Sequence, residues 1–557
     1  MGGYRAELGA TDCCCRHRKQ QYVVWGPPGT GKTKTIVEAV LQTLAEHANA
    51  HVLVTAPSHS ATDTIVTRLS RHLPPSSLLR LNHHTRSFAE TPSPLLPWTF
   101  IDPDTNTYFS IPPVSDILSR RVVACTCRDA SLLVDVGAAN SALEQVWREH
   151  HAWLRKTYPH IHKGEPPPWI PHWTHAFVDE AGQALEPEVV IPMTVVAAPK
   201  STGRNLPSQF ILCGDYRQLG PSIRSDLANS KGLGVSLLER IMATSLYKDH
   251  PTARGRTGSE GQSTVEALQN VVPPFQNLVR NYRSHPVILM EPSRIFYSDT
   301  LIPCANPNDT LSLLKWEGLP NPQLPLVFYG VRGEDEAMDV NDSWWNEAEV
   351  AAVVECVESL LLVSADERKG SAKGKQTGKV HPEHFGVIAP FREQVRRIRQ
   401  VLRSKKLAGV NVGTVEDYQG MERRIVVLSC VRVREKYANE DKKRGVGVVL
   451  PGTWDGRRLN VALTRAKELL VVIGDPHMWK RDKHWSDLLQ FALRNNLYRG
   501  APLPFHFSAG GFASPELSAL ERQWRASQTF QAAPSLGSAV MQKGWHAKEM
   551  TLTPEHE

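Results

Sequence analysis

Long apolar runs are scarce in this 557-residue chain. The longest, residues 189–198, has ten residues and contains Pro192. A bilayer-spanning helix needs about 20 apolar residues, so no membrane partner is expected. Residues 1–20 lack the hydrophobic core of a secretory signal. Ala6 stands where a myristoylation signal after Gly2 wants Ser or Thr. Cysteine is sparse as well, and nine of them, an odd number, do not make a disulfide framework. Nor is there a strong charge of one sign. Lys and Arg number 64 against 57 Asp and Glu, leaving +7, which suits a polyanionic partner without establishing one. With 41% hydrophobic and 22% charged residues the composition is that of a folded chain, not a disordered one. The expectation is a soluble intracellular protein.

The length sets a prior of three or four domains, or two large ones with insertions. Short β-branched runs alternate with helical patterns, which predicts an α/β fold with parallel sheets. Strands are predicted at 22–25, 52–54, 121–124, 176–178 and 210–213, then at 326–329, 385–388, 410–413, 425–428 and 469–473. Five and five favour two sheets over one. Asn346 followed by Glu349 reads as a capping box opening a helix through Val350, Val353, Val354, Val357, Leu360 and Leu361. Residues 75–120 and 134–172 read as irregular insertions into the first sheet, 248–263 as a linker and 366–379 as a basic loop. The predicted organisation is a disordered start at 1–20, one domain over 21–270, a second over 271–504 and a disordered tail over 505–557.

The strongest local signal is Gly26, Pro27, Pro28, Gly29, Thr30, Gly31, Lys32 and Thr33, which fit G-x-x-x-x-G-K-[ST] between a predicted strand and a helix. Glycines let backbone N–H groups close around phosphate oxygens, and the helix N-terminus adds positive potential. Lys32 supplies charge to the β- and γ-phosphates of ATP, and Thr33 can ligate Mg²⁺. A second carboxylate site is then required. Asp179 and Glu180 follow a predicted strand, Asp179 placed to hold Mg²⁺ and Glu180 to orient or deprotonate the attacking water. Gln218, in a third segment after a strand, is the residue type that senses a γ-phosphate. Charge spreading in the transition state calls for arginines. Arg283 and Arg465 are candidates, each readable also as a surface ion pair.

In order, GPPGTGKT, DEAGQ, GDYRQL, NYRSHP, VGTVEDYQGME and LNVALTRAK resemble superfamily 1 helicases of the up-frameshift type. APSHSATD, DEAGQALEPE, GLGVSLLERI, FYGVRGEDEA and HWSDLLQFALRNNLYRGAPLP resemble the Armitage / Moloney leukaemia virus 10 branch of RNA helicases. The resemblance covers about residues 21–504. It implies two tandem RecA-like P-loop NTPase domains, with ATP between them and single-stranded RNA across their top, translocating 5′→3′. It implies γ-phosphate contacts from Gln218, Arg283 and Arg465, adenine stacking by Tyr282 and ribose contact by Glu422. A nucleic-acid path lined by Ala56, Pro57, Ser58, Thr126, Pro390, Gly413 and Thr414 follows from the same resemblance. So does a cytoplasmic role in RNA silencing or RNA turnover, with RNA-granule proteins as partners.

The chain departs from that family in three places. The glutamine motif and the small β-barrel that precede the phosphate loop have no counterpart in the 25 residues before Gly26, so both are expected to be missing. His59 stands where the branch has Asn. These departures keep alive a truncated protein that binds nucleotide and RNA without unwinding, and a DNA helicase of the same superfamily is a further alternative. Six histidines between 150 and 175 have no cysteine pair at zinc spacing, so no metal site is expected there. Cys13, Cys14 and Cys15 read as part of the disordered start. Arg392, Arg396, Arg397, Arg399, Arg403, Lys405 and Lys406 surround a helix whose apolar side is Val395, Ile398 and Leu402. That basic face is either solvated or contacts nucleic acid or a partner.

Overall fold

The computed structural model describes residues 21–162, 164–197, 208–250, 252–255, 274–337, 343–366, 379–437, 448, 456–503 and 516–531. Contacts divide the chain into two units. The first takes residues up to 27, 31–216 and 220–278, and the second takes 28–30, 217–219 and everything from 279 onward.

In the first unit the elements run β1 (Gln21–Trp25), α1 (Lys32–Glu46), β2 (Val52–Ala56), α2 (His59–Leu69), β3 (Leu78–Arg80), β4 (Val122–Thr126), α3 (Asn140–Thr157), β5 (His175–Val178), α4 (Glu186–Val196), β6 (Gln209–Gly214) and β7 (Phe275–Asn277). The strands form one sheet in the order β3-β4-β2-β5-β6-β1-β7. Every pairing is parallel. Strands such as VLVTA and VVACT are buried along their whole length, as expected of a parallel sheet covered on both faces. Val24, Val54, Phe177 and Ile211 meet Ile36 and Val40 of α1 in the core.

The second unit continues with α5 (Pro286–Phe296), β8 (Leu326–Gly330), α6 (Glu347–Asp366), β9 (Phe385–Ile388), α7 (Arg392–Ser404), β10 (Asn411–Gly413), β11 (Arg423–Ser429), α8 (Arg457–Leu463), β12 (Ala466–Gly474), α9 (Lys483–Arg494), β13 (Tyr498–Gly500) and α10 (Ala519–Gln531). Its sheet order is β10-β9-β11-β12-β8-β13, again all parallel. The two doubly covered parallel sheets give the α/β class read from the sequence.

All ten predicted strands are present, with ends within three residues. Three more strands of the two large sheets were not predicted. β3, β7 and β13 are three-residue strands at sheet edges, too short to show periodicity. β3 corrects the reading of 75–120 as lying wholly outside the sheet. Its Arg80 looks like a loop residue in sequence, yet it is fully buried. Nε of Arg80 donates to Asp63 on α2 at 3.0 Å, and Arg86 holds the other oxygen of Asp63. Paired this way, a guanidinium can sit in a core. Residues 134–172 are likewise less irregular than expected, since α3 spans eighteen of them. Asn140 anchors it by donating to the carbonyls of Trp173 (2.9 Å) and Val196 (2.7 Å).

β7 carries the first sheet past residue 270, so the first unit ends at Leu278. The tail expected to be disordered contains α10. Its Glu521 is fully buried and bound by Arg494 (2.8 Å) and Asn495 (2.9 Å) of the preceding chain. The start at 1–20 with Cys13, Cys14 and Cys15, most of 248–263 and of 366–379, and residues 504–515 and 532–557 lie outside the described residues.

The expected capping box is half formed. Asn346 Oδ1 accepts the N–H of Glu349 at 3.2 Å. The Glu349 carboxyl does not return to the Asn346 N–H, which donates to Gln394 instead. It reaches across to β11 and beyond, accepting from Ser429 Oγ (2.6 Å) and the Val431 N–H (2.9 Å). Val431 has φ of 72°, rare for a β-branched residue, and this carboxyl holds its N–H. Burial pushes Glu349 up to about 7 despite those donors. The folded state therefore keeps a proton that the unfolded chain releases above its ordinary carboxylate range. The resulting stability is full at low pH and is lost as pH rises through about 7, a swing of roughly 3 kcal/mol. Glu349→Gln should remove that slope. Thermal unfolding between pH 5 and 8 measures it, and a variant that keeps the wild-type pH dependence would contradict this account.

Candidate functional site

Parallel strands all end on the same edge of their sheet, so the loops that follow them are neighbours. In the first unit that edge gathers the phosphate loop after β1, Ala56 and Pro57 after β2, Thr126 after β4, Asp179 and Glu180 after β5, and the 214–216 segment after β6.

The phosphate loop depends on missing side chains. A Cβ on Gly26 would lie 2.4 Å from Lys32 Cγ, so glycine lets the lysine stem lie back along the loop. Gly29 and Gly31 have φ of 73° and 87°, and Gly31 caps α1. Thr33 hydrogen-bonds Asp179, which is buried. Burial, then the adjacent Glu180 carboxylate, push Asp179 up to about 6 against the opposing pull of Thr33 and Lys32. A buried carboxyl that ionises reluctantly is one that a divalent cation would relieve. With the Thr33 hydroxyl beside it, the donor set fits Mg²⁺. Glu180 is half-buried, with φ of 51°, and accepts from Gln183 Nε2 at 2.9 Å. Trp25 Nε1 donates to Asp215 at 3.0 Å, tying β1 to the segment after β6.

In the second unit, Asn281 and Tyr282 clasp the loop crown. Asn281 Nδ2 donates to Pro28 O (2.7 Å), and the Tyr282 N–H donates to Gly29 O (2.8 Å). A Cβ on Gly29 would sit 2.6 Å from Arg283 Cβ, so Arg283 packs directly against this loop. Arg283 Nε donates to Glu422 at 2.7 Å, and Lys467 takes the other Glu422 oxygen at 2.6 Å. Burial alone would raise Glu422, but Arg283 and Lys467 outweigh it and hold the carboxyl down at about 2. Arg465 is buried and donates to Gln218 Oε1 (2.9 Å), Thr464 Oγ1 (3.1 Å) and Val461 O (3.1 Å). Arg283, Arg465, Gln218, Glu422 and Pro28–Thr30 thus share one unit. The Tyr282 ring is 41% exposed.

The seven nucleic-acid candidates fall into two strand-end groups. Ala56 and Thr126 are register partners closing β2 and β4. Ser58 caps α2 by accepting from the Ala61 N–H. Thr126 Oγ1 likewise accepts from Asp129 N–H. His59 contacts Arg80 at 3.2 Å, and burial, Arg80 and Arg86 lower its pKa. In the second unit Pro390 follows β9, and Gly413 ends β10 beside Ile388. The Thr414 N–H donates to Asp417 at 2.9 Å, so that amide is already engaged.

Two AAA domain families match the chain, AAA_11 over residues 8–102 and AAA_12 over 261–477. RNA helicase Mov10l1 of Homo sapiens is 35% identical over 489 residues, 87% of this chain and 34% of that protein. The Mus musculus Mov10l1 is 35% identical over 515 residues, 91% of this chain and 36% of that one. "Probable RNA helicase armi" of Drosophila melanogaster is 29% identical over 497 residues, 87% of this chain and 37% of that one. The chain is thus similar to AAA-domain proteins and to these RNA helicases. It spans about a third of the length of these three relatives.

Three residues of this candidate site carry no role in the sequence reading. Asn281 positions the loop crown, its Oδ1 also accepting from the N–H groups of Arg283 and Ser284. Lys467 completes the Glu422 pair. Asn460 donates to Arg217 O at 2.8 Å, within the same unit as Gln218. All three stand inside the quoted motifs, which is the signal that could have found them.

The two left-handed glycines should respond differently to substitution. Gly31→Ala meets no atom within 4 Å and should cost only backbone strain, about 1–2 kcal/mol. Gly29→Ala adds contacts at 2.6 Å with Arg283 and Asn281 and should cost more while weakening nucleotide binding at least tenfold. Thermal unfolding and a fluorescent-ATP titration compare them, and equal effects would contradict the close approach of Arg283.

Proposed function

We propose that this chain is an ATP-dependent RNA helicase motor that hydrolyses ATP with Mg²⁺ and translocates 5′→3′ on single-stranded RNA. The observation that carries this reading is the pairing of the phosphate-loop lysine and Thr33 with a buried, reluctantly ionised Asp179 on one sheet edge. The resemblance and the RNA helicase relatives supply the nucleic-acid half.

Lys32 and the loop N–H groups bind the β- and γ-phosphates. Thr33 and Asp179 would hold Mg²⁺, which neutralises charge developing on the phosphoryl oxygens when bound. Glu180 takes the proton of the attacking water at its carboxylate while Gln183 fixes its orientation. The resemblance assigns Arg283, Arg465 and Gln218 to the γ-phosphate; within the second unit Arg283 lies against Gly29 and is steadied by Glu422, and Arg465 is bonded to Gln218. Strand-end backbone and hydroxyl groups then grip phosphates without reading bases. A cytoplasmic setting in RNA silencing or turnover, with granule proteins as partners, belongs to the same reading and rests on the resemblance alone.

Lys32→Ala should lower RNA-stimulated ATP turnover by about two to three orders of magnitude. Glu180→Gln should do the same while keeping ATP affinity. Turnover by Lys32→Ala at the wild-type rate would end the motor reading. Because phosphate contacts do not distinguish RNA from DNA, stimulation by poly-rU and poly-dT is compared in the same assay. Preference for poly-dT would favour a DNA helicase, and failure to separate a 5′-tailed duplex would favour a binding protein.

A further inference from the structure

α7 carries arginines at 392, 396, 399 and 403, a spacing of four, three and four that places them on one helix face. Val395, Ile398 and Leu402 of the same helix are buried, Val395 at the groove's edge. The four arginines are exposed and, with Thr414 and Asp417, line a groove of about 580 Å³. Everything in this groove belongs to the second unit.

The four guanidinium groups are not equivalent. Arg399 Nε donates to the Val412 carbonyl at 3.0 Å, bracing α7 against β10 just before Gly413 and Thr414. Arg396 is paired with Glu393 at 2.7 Å. Arg392 and Arg403, at the two ends of the row, have no ion-pair partner among the described residues. The one carboxylate lining the groove, Asp417, accepts the Thr414 N–H. Positive charge is thus held along roughly 16 Å of helix, eleven residues at 1.5 Å each. The groove includes Thr414, which the resemblance assigns to the nucleic-acid path.

We propose that this arginine row is an RNA-backbone track, extending the single-strand path from Thr414 along α7, with Arg392 and Arg403 as its phosphate contacts. The inference rests on the RNA-motor reading. Three features favour a nucleic-acid strand over an acidic polypeptide. The groove is continuous with Thr414, the charges form a row and not a pocket, and guanidinium groups match phosphate geometry. The contacts are to backbone, so affinity should rise without sequence preference.

The test uses the full chain and two double variants of equal charge change. Arg392→Gln with Arg403→Gln removes the free ends of the row. Arg397→Gln with Lys405→Gln removes two charges from the helix and its C-cap outside the groove, where Arg397 stacks on Trp345 and Lys405 pairs with Glu358. Binding of fluorescein-labelled oligo-rU is measured by anisotropy from 50 to 200 mM salt, with labelled poly-glutamate as a second probe and circular dichroism as the folding check. The groove variant should bind RNA about tenfold more weakly, with the log–log salt slope shallower by about 1.4, and the control should match wild type. Equal RNA affinity and slope in both variants and wild type overturns the proposal. So does equal weakening by the two variants, or a groove variant that loses poly-glutamate but holds RNA. If wild type binds no RNA at all, the motor reading itself falls with it.

Discussion

Parallel pairing is the constraint on which the rest depends. A β-α-β crossover returns each strand in the same direction, so every strand's carboxyl end opens on one edge. That shared edge is where residue 32 comes near residue 179, and residue 390 near residue 413. β1, β5 and β6 carry the phosphate-site candidates, while β2 and β4 carry the nucleic-acid candidates. In the second sheet, β9 and β10 repeat the second arrangement with Pro390 and Gly413. The buried apolar strands provide the rigid floor, and the chemistry sits on the short segments that leave it.

Two carboxyls show how the same fold sets charge in opposite directions. Asp179 and Glu422 both suffer burial. Asp179 has a second carboxylate beside it and is pushed up, whereas Glu422 lies between Arg283 and Lys467 and is held down. Their environments suit different tasks. The first is a place where added positive charge is favourable. The second has its positive charge built in, and spends it on fixing an arginine beside the phosphate loop.

Much of this was legible because the motifs lie at the ends of strands that advertise themselves. VVW before Gly26 and AFV before Asp179 are β-branched or aromatic runs, and the turn residues after them are fixed by chemistry. What escaped was structure created by pairing with distant residues. β3 ends in an arginine that is buried on the carboxylate of Asp63, seventeen residues upstream. α10 is polar by composition and is docked by Glu521 against Arg494 and Asn495. The Asn346–Glu349 spacing correctly marked a helix start, but the Glu349 carboxyl serves Val431, 82 residues away. Local spacing carries no trace of such partners, since any exposed Glu on a first turn would look the same.

Glu422 brings the resemblance and the geometry together. The resemblance assigns it to the ribose, and the structure engages its two oxygens with Arg283 and Lys467. These roles do not exclude one another. An ionised carboxylate offers about four acceptor sites, and two are used here. Held at about 2, Glu422 is ionised throughout the neutral range, so its remaining lone pairs stay available to a hydroxyl donor. A ribose contact would then add to the pair without displacing it. The carboxylate that the resemblance assigns to the sugar is also the one that fixes Arg283 and Lys467 in the structure.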